Sequence, residues 1–332
     1  MFMSPVALAL LLGQKTPAFA DSITPVRLQS HVQFLASDLL EGRGTPSRGL
    51  DLAANYIAGE FAKAGLEPGV ASSYFQESEF TSRRSQETGK VRNVIGLLRG
   101  SDPKLKDSYI IVSAHYDHLG KRTGEGDTIF NGANDDASGV SGVIESAYSL
   151  AKMKPKRSII FMCFWGEEMG LVGSTYYAKN PVFPLAQTDV MINLEQIGRT
   201  DDSEGPRVAE FNITGFDYTD LAEYLRKSAE PFGVKVTKHP KLSDPYFMAS
   251  DNAALAGFGV PANTVSTAYE FPDYHQVGDE YNKLDYVNMT QIVRAVANGV
   301  FSVASSPKAV TWSSDNPRTV RYREAAKKLA GG

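Results

Sequence analysis

The chain has 332 residues, 42% of them hydrophobic and 22% charged, with a formal net charge of -4. That is the composition of a folded globular protein, and no basic stripe marks a nucleic-acid surface. Its single cysteine, Cys163, excludes an intrachain disulfide, so stability must come from a large apolar core.

Residues 1–20 read as a secretory signal peptide. "FMSPVALALLLG" is an apolar run too short to span a bilayer. "AFA" at 18–20 follows it as a small-x-small cleavage site, with Asp21 as the expected mature N-terminus. Export to the periplasm or medium is therefore expected, although the basic residue that usually precedes such a run is absent. Residues 21–332 contain no repeat, no low-complexity linker and no later membrane-length apolar stretch, and read as a single domain.

Two helical patterns occupy 26–66 and end on Gly. Short β-rich runs follow at 91–98, 108–114, 158–165, 189–194 and 262–267, and helical patterns at 138–153, 218–232 and 287–301 separate most of them. Near-continuous apolar strands alternating with helices predict a three-layer α/β/α sandwich around a mixed, mostly parallel sheet. Cys163 lies inside one such run and reads as a small buried hydrophobe.

Chemistry in such sheets gathers at the carboxyl ends of the strands. "HYDH" (115–118) follows the second run, "GEE" (166–168) the third, Glu195 the fourth, and His275 stands a little beyond the fifth. "NGANDDASG" (131–139), with Asp135 and Asp136, precedes a helix. Five segments thus bring His and carboxylates to one edge. That palette, without Cys, suits hydrolytic zinc and, less exclusively, manganese or cobalt. A two-metal site would use one of the adjacent Glu167 and Glu168 as a ligand and the other as general base.

These segments resemble the secreted di-zinc aminopeptidases, whose relatives include glutamate carboxypeptidases and glutaminyl cyclases. The likeness runs in order through "LEGRGTPSRGLDLAANYIAGEF", "NVIGLLRG", "AHYDHLG", "NGANDDASG", "WGEEMGLVGS", "INLEQIGR", "SDNAALAGFGVPA" and "DYHQVGDEYNKLDY". It implies two zinc ions bridged by Asp135, the first also held by His115 and Glu195 and the second by Glu168 and His275. Asp117 would orient His115 through its far ring nitrogen. Glu167 would be the general base and Tyr274 a donor to the developing oxyanion. A cis peptide would follow Asp135. The implied activity is release of N-terminal residues from peptides by a hydroxide bridging the metals. A carboxypeptidase or dipeptidase with the same metals, and a one-zinc glutaminyl cyclase, are the alternatives. One departure is Glu195, where the aminopeptidases usually carry Asp.

Plainer roles stand beside these. Glu167 and Glu168 could be a solvated pair, His115 a structural histidine, and Tyr274 simply packed against its neighbour. His31 and His239 read as structural or surface residues, His118 as loop packing, and Asp136 as a helix N-cap. Asp251 is open between a helix terminus and a pocket wall. Arg199 is open between a site carboxylate and the acidic "TDDSE" after it.

Overall fold

Helix α1 (Pro25–Leu35) begins where the Thr24 side chain accepts the Arg27 N–H, with Pro25 in the first turn. Leu28, Val32 and Leu35 on its inner face are fully buried. Helix α2 (Arg48–Ala64) is capped by Ser47 and stops at Gly65, φ 85°. The computed structural model describes residues 16–83 and 86–331, so most of the expected signal peptide, residues 1–15, lies outside the described residues.

The longer strands of the main sheet are β1 (Phe75–Thr81), β2 (Thr88–Leu98), β3 (Tyr109–His115), β4 (Ser158–Phe164), β5 (Thr188–Leu194), β6 (Glu210–Ile213), β7 (Lys235–Thr237) and β8 (Ala262–Ser266). With the short strand Glu67–Pro68 they form one nine-stranded sheet. Its order is Glu67–Pro68, β2, β4, β3, β5, β8, β6, β7, with β1 added on β2. The centre, β4-β3-β5-β8, is parallel. Both flanks join it antiparallel, β2 to β4 and β6 to β8. The sheet is therefore mixed, and its parallel part is the part that presents the site.

Helices α3 (Gly139–Leu150), α4 (Val172–Lys179), α5 (Leu221–Ala229), α6 (Asn252–Gly257), α7 (Tyr286–Ser305) and α8 (Val320–Gly331) complete the layers. Helices α1, α2, α3, α5 and α7 cover one face, and α4, α6 and α8 the other. Strand β4 shows the division: Ile159, Phe161 and Cys163 enter the first core, Ile160, Met162 and Phe164 the second. Alternate side chains point to opposite faces, and burial on both makes the run apolar throughout.

His31 is buried inside the first layer. Its Nε2 lies 3.0 Å from Glu145 Oε1 and its Nδ1 2.7 Å from the Tyr56 hydroxyl. Arg27 donates to both Glu145 oxygens at 2.7 Å. Burial pushes the Glu145 pKa up, but His31 and Arg27 overcome it and hold the carboxyl below its ordinary 4.5. A depressed carboxylate contributes stability above its unfolded pKa and loses it as pH falls through the folded one. Glu145→Gln should therefore cost about 2 kcal/mol at neutral pH, and the gap from wild type should close as pH falls through that lowered pKa. Thermal melts of both proteins across that range check it; a gap that stays constant would separate this carboxylate from the acid limb of stability.

Candidate metal centre

Strand β3 delivers His115 at its last position, and the carboxyl ends of β4 and β5 lead into Glu167–Glu168 and Glu195. His115 Nε2 stands 3.2 Å from Asp135 Oδ1. His275 Nε2 stands 3.2 Å from Asp135 Oδ2 and 3.3 Å from Glu168 Oε2. Donor atoms of His115, Asp135 and Glu195 all lie within 4.8 Å of one another, as do those of His118, Asp135 and Glu168. All five expected ligands are thus brought together, Asp135 at the centre, with the Asp135–Asp136 peptide cis. His118, expected to serve only in loop packing, stands among them.

The expected Asp117–His115 contact is looser than a hydrogen bond. The Asp117 carboxylate is 3.6 Å from His115 Nδ1, and the nearer acceptor is the Asp117 carbonyl at 3.3 Å. The carboxylate instead accepts the Glu167 N–H at 3.0 Å and the Thr45 hydroxyl at 3.2 Å. It ties the end of β4 to the loop after β3.

Three side chains without an assigned role in the sequence build the cradle. Arg43 is fully buried. Its guanidinium donates to the carbonyls of Tyr116, Leu35, Asn131 and Gly132 at 2.5–3.0 Å, gathering the loops that carry His115 and Asp135. Asp279 accepts the Asn134 and Asp135 N–H groups at 3.0 Å. Asn134 Oδ1 accepts the Gly198 and Arg199 N–H groups. Asp136 accepts from Gly139 N at 2.9 Å and Gln196 N at 3.1 Å, so it takes the first N–H of α3 from two residues ahead of the N-cap position, Ser138, and also holds the segment after Glu195.

The electrostatics call for added positive charge. Burial pushes Glu167 well above the ordinary carboxylate range, and Glu195 to about 8. Burial alone would lower His115 and His275, yet the surrounding carboxylates win, raising His115 far above 6.5 and His275 to about 10. His115 Nε2 and Glu195 Oε2 are buried without a hydrogen bond. Such atoms are costly unless a ligand takes them. Hard and borderline divalent cations fit this donor set, binding the imidazoles neutral and the carboxylates ionised.

Tyr274 stacks on His275, ring centroids 4.0 Å apart, so it is packed against its neighbour. It also borders a cavity of about 270 Å³ shared with Asp135, Glu167, Glu168 and Glu195. Asp251 is fully buried and makes no cap bond to α6; its charge is felt at Glu167 and Glu195, and it is not among the residues lining the cavity. Arg199 pairs with both Asp201 and Asp273. His239 is buried against Asp202 and belongs to the framework.

Imidazoles and carboxylates collected at the carboxyl edge of a parallel-centred α/β sheet define a metal-dependent hydrolase. Residues 93–300 match the model of peptidase family M28, and the chain belongs to that family. A probable zinc metalloprotease of Pyricularia oryzae is 30% identical over 90% of this chain and 66% of its own length. Aminopeptidase YwaD of Bacillus subtilis is 26% identical over 75% of this chain and 50% of its own. The chain thus spans about two thirds or less of these relatives. Among solved structures, an aminopeptidase from Aneurinibacillus sp. strain AM-1 superposes with a TM-score of 0.66 at 17% identity, covering 90% of this chain and 98% of that one. A glutaminyl cyclase of Bacteroides thetaiotaomicron gives 0.64 at 18% identity, covering 87% and 98%. Both share the fold.

Proposed function

We propose that this chain is a two-zinc aminopeptidase that releases N-terminal residues from peptides. The observation that carries it is Asp135, whose two oxygens each face a different imidazole at 3.2 Å, His115 on one side and His275 on the other. Glu195 completes the first group and Glu168 the second. Bound there, two divalent ions would polarise the scissile carbonyl and lower the pKa of a water. Glu167, with its main chain held by Asp117, takes the proton of the attacking water and returns it to the leaving amine. Tyr274 donates to the developing oxyanion. The relatives named as zinc metalloprotease and aminopeptidase support this reading.

Amine recognition is favoured over carboxylate recognition by where the nearby cations are committed. Lys121 pairs with Glu41 at 2.6 Å, Arg199 with Asp201 and Asp273, and Arg122 lies over the Phe130 ring. A terminal carboxylate needs a free Arg or Lys, whereas a terminal ammonium suits the carboxylates around the cavity. Peptides with free and acetylated N-termini, assayed with and without chelator alongside elemental analysis, test this. Free peptides should lose N-terminal residues, apolar ones faster than acidic ones; acetylation and chelation should each stop the reaction; and metal should approach two equivalents. Trimming of acetylated peptides from the carboxyl end would make the enzyme a carboxypeptidase. Cyclisation of N-terminal glutamine with one zinc would make it a cyclase.

The same reading includes export, from the apolar run and "AFA" near the N-terminus. Ala20 is fully buried, and Phe19 packs on Phe301 at 5.7 Å. Cutting after Ala20 removes both, so a cut that spares this packing falls upstream of Phe19. Mass spectrometry of the mature N-terminus distinguishes the two positions.

A further inference from the structure

His118 is fully buried, and its ring sits edge-on to His275, centroids 5.8 Å apart. Its position is built. The His118 N–H donates to the Arg43 carbonyl at 3.2 Å. Opposite the ring lies Gly132, φ +57°, where a Cβ would meet His118 Cγ at 2.5 Å and the Asp135 carbonyl at 2.2 Å. Any larger residue there would expel the imidazole or displace the Asp135 loop.

Distances separate two roles for this ring. Zinc bonds of about 2.0–2.1 Å in tetrahedral geometry set two donors on one ion about 3.3 Å apart. The pairs His115–Asp135, His275–Asp135 and His275–Glu168 stand at 3.2, 3.2 and 3.3 Å, as donors sharing an ion should. His118 Nδ1 does not fit that spacing: it is 2.7 Å from Glu168 Oε1 and 3.9 Å from Asp135 Oδ2. The shorter distance is that of a close imidazole–carboxylate ion pair, in which neither atom makes a hydrogen bond.

On the two-ion reading above, we infer that His118 is a positioning residue for Glu168: its Nδ1 engages Oε1, leaving Oε2 to the ion shared with Asp135 and His275. With Oε1 so placed, only Oε2 of Glu168 would remain to hold an ion. A group that orients a metal ligand is worth about 10- to 100-fold in metal affinity.

The test is titration of the metal-stripped full-length chain with Zn2+ and Co2+, comparing wild type with His118→Asn, which keeps an N–H close to the place of Nδ1, and His118→Leu, which removes it. The wild type should take up two equivalents. His118→Leu should weaken the second by about 10- to 100-fold while leaving the first, and the apo-protein melting temperature, nearly unchanged. His118→Asn should recover most of that affinity and keep the wild-type visible spectrum of bound Co2+. If Asn loses as much affinity as Leu and alters the cobalt spectrum, His118 is itself a ligand and the inference fails. If Leu binds both ions as wild type does, the ring only packs, and the inference fails again. A wild type that takes up a single ion overturns the two-ion reading and this inference with it, and does so before any variant is made.

Discussion

Glu167→Gln should leave metal uptake intact and lower turnover by about 10²–10⁴-fold. The amide has nearly the shape of the carboxylate but cannot accept a proton. Glu167 lies outside both groups of donor atoms around Asp135, so its charge is not needed to hold an ion. Its main-chain N–H, which donates to Asp117 Oδ1 at 3.0 Å, survives the substitution, so the end of β4 stays in place. Steady-state kinetics with elemental analysis on the same preparation check the pair of outcomes. Turnover near wild type would remove Glu167 from the mechanism, and loss of metal would recast it as a ligand.

Arg43→Met should cost about 4 kcal/mol or more. Burial pulls the guanidinium pKa down, while Asp117, Asp135, Asp279 and Asp136 pull it up; an arginine stays charged under such opposition. Methionine fills much of the volume and offers no donor. Four main-chain carbonyls would then be left in the interior, each losing a hydrogen bond to a charged group worth about 1.5–3 kcal/mol. Some would find one another or water, which is why the expected figure is below the sum. Because three of those carbonyls, Tyr116, Asn131 and Gly132, belong to the loops bearing His115 and Asp135, metal affinity should fall together with the melting temperature. A variant that melts within a degree of wild type and binds metal normally would show that the loops are held without the guanidinium.

Three of the proposed ligands, His115, Glu168 and Glu195, were legible because each stands at or just past the end of an apolar run whose direction is fixed by the fold, while Asp135 and His275 stand in loops farther from any strand end. His115 ends β3, and Glu195 directly follows β5; reading the residue after each strand finds them. The flanks of the sheet were not legible in the same way. Strand β6 is four residues long, with Glu210 and Asn212 among them, and β7 is three, too short for period two to rise above chance. Strand β1 carries Gln76, Glu77, Ser78 and Glu79 at an edge, where only one side of the backbone ladder needs a partner. Helix α4 begins after Leu171 in a left-handed conformation, with no cap residue to announce it. Arg43 and Asp279 act on main-chain groups, and main-chain groups leave no mark in the amino-acid alphabet. His118 was visible as a residue but not as a neighbour of Glu168, since that closeness depends on the turn between Asp117 and Gly120 and on the missing side chain at Gly132.

Where the catalytic unit begins follows from the anchoring of its loops. The family match starts at residue 93, yet the guanidinium that binds the Tyr116 and Gly132 carbonyls, and the Thr45 hydroxyl that meets Asp117, come from residues 43 and 45. A fragment trimmed to the family boundary would keep every proposed ligand and lose the clasp that spaces them. The segment ahead of the boundary is in that sense part of the candidate centre, and any domain graft, truncation or chimera that treats it as a dispensable leader should inherit the proposed ligands in slack loops.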